Sequence, residues 1–124
     1  HAAGDQVLRW FGDLIRTKLR PGDIACRYGG EEFVLIIPTV TLAGGVARAD
    51  EIREAFGRLV ATASNNQYGA VTLSVGVAVY PDDAKTATEL RRKADAALYV
   101  AKRTGRDRVV AYSEQIANPA TNLS

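Results

Sequence analysis

Residues 26–38 read CRYGGEEFVLIIP. Two glycines, Gly29 and Gly30, and two adjacent carboxylates, Glu31 and Glu32, divide an otherwise apolar run. Residues 24–28 and 33–37 have strand-type sequence on either side, and Pro38 stops the second strand. The insert at 29–32 has the length of a hairpin turn, so the stretch predicts two antiparallel strands closed at a glutamate pair. Polar residues are common in turns, and on that reading Glu31 and Glu32 are surface decoration. Against it, adjacent like charges repel, and glutamate is not a turn former in the way asparagine or aspartate is. Two hard carboxylates in a small space suit a divalent cation with oxygen ligands, such as magnesium. Glycines before them let a ligand approach the backbone closely. That combination suits phosphoryl chemistry, where positioning and charge neutralisation do most of the work.

Outward from the hairpin, helical spacing dominates. Val7, Leu8, Phe11, Leu14, Ile15 and Leu19 mark an amphipathic helix over residues 5–19, ended by Pro21 and Gly22. Residues 41–60 read as a long helix with Val46, Ala49, Ile52, Phe56, Leu59 and Val60 along one stripe. Residues 61–69, with Ser64, Asn65 and Asn66, read as a loop. Residues 71–80 form a strand rich in β-branched residues, interrupted by Gly76 and stopped by Pro81. Thr86 and Glu89 make a capping box for a third helix running to about Arg103, with Leu90, Ala94, Ala97, Leu98 and Ala101 inward and Gly105 beyond its end. Residues 108–112 are a last short strand, and the tail from Ser113 is polar. The order α-β-β-α-β-α-β is an α+β pattern, and 124 residues suffice for one domain.

Composition narrows the class. Apolar residues make up 47% and charged residues 24%, as in a globular domain. A formal net charge of +2 is too small to indicate bulk nucleic-acid binding. The single cysteine, Cys26, excludes an internal disulfide framework and a multi-cysteine metal site, and reads as a small core residue. No window approaches the roughly 18 consecutive apolar residues of a membrane helix. The chain opens at His1 and contains no methionine, so we expect a processed piece or an excised part of a longer polypeptide, or a chain completed by a partner.

A second cluster lies in residues 93–108, KADAALYVAKRTGRDR. Lys102 and Arg106 stand at i, i+4 where the third helix ends. They could face a triphosphate; equally, cations there complement the helix C-terminal dipole.

With these residues in hand a resemblance emerges. RYGGEEF, residues 27–33, resembles the signature of GGDEF domains, in which the third position is Asp or Glu. Residues 1–5, HAAGD, look like the end of that family's GHxxGD segment, and residues 20–23, RPGD, like its RxxD inhibitory site. Residues 74–78, SVGVA, resemble its SxGxA strand. Residues 94–108 resemble its ADxALYxAKxxGRNR ending, with Asp107 at the asparagine position. The match runs from His1 to about Tyr112, which makes residues 1–112 the domain and 113–124 a tail.

The resemblance implies a diguanylate cyclase, which condenses two GTP into cyclic di-GMP and releases two pyrophosphates. It implies a ferredoxin-like, palm-type antiparallel sheet with helices packed on it. By position, Glu31 would be a metal ligand and the base for the attacking 3′-hydroxyl, and Glu32 would support the site for Mg2+ or Mn2+. Asp5 would bind the guanine edge, Gly29 and Gly30 would admit the nucleotide, and Lys102 and Arg106 would hold the outer phosphates. Arg20 and Asp23 would bind product; without the resemblance they read as a loop salt bridge. The family's first central strand, with a metal-binding aspartate, is absent from this chain, so these residues alone are expected to be inactive. The resemblance further implies a homodimer, an upstream sensor domain, and a bacterial cytoplasmic location, free or attached to a membrane-bound sensor. The alternatives are a non-catalytic cyclic di-GMP-binding module and a plain ferredoxin-like interaction domain.

Overall fold

The computed structural model describes residues 2–29, 32–38, 41–68 and 71–113. Along them run α1 (Ala2–Lys18), β1 (Ile24–Gly29), β2 (Glu32–Ile36), α2 (Leu42–Ala63), β3 (Val75–Val77), α3 (Ala87–Arg103) and β4 (Val109–Ala111). This is the α+β order expected from the sequence. The strands form two pairs, β1 antiparallel to β2 and β3 parallel to β4. The chain divides into two compact units. The first holds His1–Thr39 and Glu54–Val71; the second holds Val40–Arg53 and Thr72–Ser124.

In the first unit, Phe11 and Ile15 lie four residues apart on α1 and are buried. The Phe11 ring meets Phe56 of α2 edge to face, with centroids 5.4 Å apart. Trp10 packs on Tyr68 at 5.7 Å. The second helix runs to Ala63, three residues past its expected end. Just beyond Ala63 the buried Ser64 donates its hydroxyl to the Val60 carbonyl at 2.6 Å, a local bond that competes with further helix. Asn65 and Asn66 then turn the chain at φ 53° and 61°, a conformation asparagine tolerates well.

The second unit is a β-α-β crossover. The register pairs Val75 with Val109, Gly76 with Val110 and Val77 with Ala111. The ladder is shorter than the strand expected over 71–80 because its partner offers only three residues. Beyond it the chain turns, with the Val79 N–H donating to the Asp83 carboxylate at 2.8 Å. Gly76 lies directly beneath α3: a Cβ there would stand 2.2 Å from the Ala94 carbonyl oxygen and 2.3 Å from the Leu98 nitrogen. That backbone approach, together with fully buried Ala97 and Ala101, sets the helix against the strand. The cap of α3 forms as expected. Thr86 Oγ1 accepts from the Glu89 N–H at 3.1 Å, while the Glu89 carboxylate accepts from Lys85, one residue before the cap. Among the described residues, no helix is long and apolar enough to cross a membrane.

Candidate active site

The first unit carries most of the residues singled out from the sequence. In the hairpin, Ile24 faces Ile36 and Cys26 faces Val34; the register then shifts between Arg27 and Gly29, so that Gly29 faces Glu32. A bulge of this kind re-aims the backbone near a functional turn. Gly29 is thus the last residue of β1 and Glu32 the first of β2, one residue further into each strand than expected. Gly30 and Glu31 connect them and lie outside the described residues. The sequence places all four at the closed end of a two-stranded ribbon.

The open end carries the second motif. Arg20, Pro21, Gly22 and Asp23 form a four-residue turn closed by the Asp23 N–H, which donates to the Arg20 carbonyl at 2.9 Å. Pro21 fits its second position, and Gly22 at φ +92° supplies the positive φ that a type II turn requires at its third. The Arg20 N–H donates to Asp23 Oδ2 at 2.9 Å. The turn therefore fixes the backbone of both residues and the Asp23 carboxylate. From there β1 runs six residues, about 20 Å, to the glutamate turn. Asp5 is exposed in the first turn of α1.

Lys102 and Arg106 belong to the second unit. Their i, i+4 spacing does not put them on one helical face, because α3 ends at Arg103. Gly105 at φ 137° breaks the helix, and the Arg106 N–H reaches back to the Ala101 carbonyl at 2.9 Å. Arg106 itself has φ 61°. Both cations are exposed.

The structure adds residues that sequence reading passed over. Arg53 donates through Nε to Asp50 at 2.8 Å and through Nη1 to Asp107 at 2.6 Å. Its pKa is raised, first by the hydrogen bond to Asp50 and then by that to Asp107, so it stays charged at every working pH. The Asp107 N–H in turn donates to Ser74 Oγ at 3.1 Å. Arg53 and Asp107 are 54 positions apart, and nothing in either local sequence signals the pair.

Comparison with known proteins gives these motifs a common origin. The family model described as diguanylate cyclase, GGDEF domain, matches residues 1–108. The chain belongs to the GGDEF domain family. A probable diguanylate cyclase of Escherichia coli, DgcT, is 40% identical over 113 residues, a match covering 89% of this chain and 25% of that protein. This GGDEF chain therefore spans about a quarter of that curated relative's length. The GGDEF domain of DgcB from Caulobacter crescentus, solved in complex with cyclic di-GMP, superposes with a TM-score of 0.75 at 36% identity over 90% of this chain and 66% of that one. The active GGEEF domain of a Vibrio cholerae diguanylate cyclase superposes with a TM-score of 0.77 at 28% identity over 91% of this chain and 70% of that one. Like the latter, this domain carries glutamate at the variable position.

Proposed function

We propose that this domain is the catalytic part of a diguanylate cyclase. The observation that carries the proposal is the GGEEF sequence at the hairpin: the register sets Gly29 opposite Glu32, and the acidic pair is retained in a chain of this family. Each of two GTP molecules is attacked at its α-phosphorus by the 3′-oxygen of the other. Two P–O bonds form, two bonds to pyrophosphate break, and each hydroxyl gives up one proton. Glu31 accepts that proton. Asp5 binds the N1–H and N2–H donors of guanine, and Lys102 and Arg106 hold the outer phosphates. Gly29 and Gly30 leave room for the nucleotide against the turn.

Among the described residues, no three His, Cys, Asp or Glu side chains gather to hold a metal. Glu31 and Glu32 are the acids that this chain brings to the turn, and they would hold a magnesium or manganese ion together with phosphate oxygens, water and the aspartate that the family carries on its first strand. Such an ion supplies charge neutralisation on the triphosphate and a lower pKa for the hydroxyl.

One domain holds one GTP, so the reaction needs two copies facing each other across a two-fold axis. An upstream sensor would control that meeting, in a protein placed where GTP is available, the bacterial cytoplasm. Arg20 and Asp23, at the far end of β1, bind cyclic di-GMP and limit synthesis. Replacing Glu31 tests the assignment. In the full-length protein Glu31→Gln lowers turnover by roughly 100-fold or more while cyclic di-GMP still binds. An unchanged rate would remove Glu31 from the chemistry. Product binding without turnover in the unmodified protein would favour the regulatory module instead.

A further inference from the structure

The loop after α3 holds three consecutive residues at positive φ: Gly105 at 137°, Arg106 at 61° and Asp107 at 46°. Glycine accepts this freely, whereas a residue with a Cβ is disfavoured there, so contacts must hold the second and third. The Arg106 N–H is fixed by the Ala101 carbonyl, and the Asp107 N–H by Ser74 Oγ. The Asp107 carboxylate is gripped by Arg53 Nη1 at 2.6 Å. Arg53 cannot swing away easily, because its Nε is also engaged by Asp50 on the same helix. The Arg53 side chain is only 19% exposed, against 49% for Asp107, so the helix side of the pair is the rigid one. Arg106, between these anchors, makes no ion pair among the described residues and is exposed.

We propose that Arg53 is a positioning residue for Arg106: through Asp107 it holds the left-handed turn from which Arg106 reaches the outer phosphates of bound GTP. This rests on the reading that Arg106 is a phosphate ligand. The competing account is a surface ion pair that stabilises the fold and nothing else.

A mutant cycle separates the two. Binding of the α-thio analogue of GTP is measured with magnesium on the full-length protein, its Arg53→Ala and Arg106→Ala variants and the double variant. Arg106→Ala weakens binding roughly 10- to 100-fold, as loss of a charged hydrogen bond to phosphate does. Arg53→Ala weakens it about three- to fivefold, in the range of a partly exposed ion pair, and the loss shrinks at high salt. In the Arg106→Ala background, Arg53→Ala has no further effect beyond about twofold. Asp107→Ala, at the exposed end of the pair, repeats the Arg53→Ala loss even if the latter folds poorly, and Asp107→Asn restores part of it. Equal losses on both backgrounds, or no loss from either end of the pair while Arg106→Ala retains its effect, overturn the proposal. If Arg106→Ala itself binds normally, the phosphate reading fails and takes this proposal with it.

Discussion

At the scale of single residues, the turn from Arg20 to Asp23 shows how little sequence is needed to build a rigid presenting group. Proline presets one φ, glycine supplies the positive one, and the closing bond at 2.9 Å leaves an arginine and an aspartate at fixed separation. An arginine and an aspartate presented by one turn suit recognition of a guanine dinucleotide, which offers both acceptors and donors on its base edge and anionic phosphates. Arg20→Ala therefore weakens cyclic di-GMP binding about 10- to 100-fold, the cost of removing charged hydrogen bonds. In turnover assays with added product, the variant stays closer to its product-free rate than the unmodified protein does. Equal inhibition of both would place product control elsewhere. The same residues, read without a family, amount to a loop salt bridge; only their company in the chain separates the two meanings.

At the scale of elements, the β3-α3 contact depends on the absence of one carbon. The close approach of the Ala94 and Leu98 backbones to Gly76 leaves a methyl nowhere to go. Gly76→Ala consequently destabilises the domain by about 1–3 kcal/mol or more, read as a lowered thermal midpoint. A midpoint equal to that of the unmodified protein would mean that α3 does not lie so close. In the sequence this glycine reads as a break in a strand, which is correct but does not say what it admits. The helices were legible because their apolar spacing is local: Phe11, Ile15, Ile52 and Phe56 are all buried, and the Thr86 cap forms. Strand ends were less so, since a ladder's length depends on a partner distant in sequence. The same reason hid Arg53 and Asp107. Lys102 and Arg106 flank the end of α3, where the sequence puts them, with Gly105 between them at positive φ. The glutamate hairpin was legible to within one residue at each strand end, because two glycines and two acids interrupt an apolar run in only one way.

At the scale of the whole molecule, the proposed chemistry cannot be completed by one copy. On the proposed reading a single GGEEF hairpin, with its one acidic pair, serves one nucleotide, whereas two phosphodiester bonds must form. Turnover per chain should thus depend on concentration: below the dimer dissociation constant, each tenfold dilution lowers it about tenfold. A rate per chain that stays constant through that range would contradict a site shared between two copies. The central claim is that the family's acidic hairpin is here a working catalytic turn. The most direct test is to incubate the full-length protein with GTP and magnesium and to identify the products by mass spectrometry. Cyclic di-GMP and pyrophosphate formed in a ratio of one to two, and lost in Glu31→Gln, are the predicted result; intact GTP beside a protein that still binds cyclic di-GMP would contradict it.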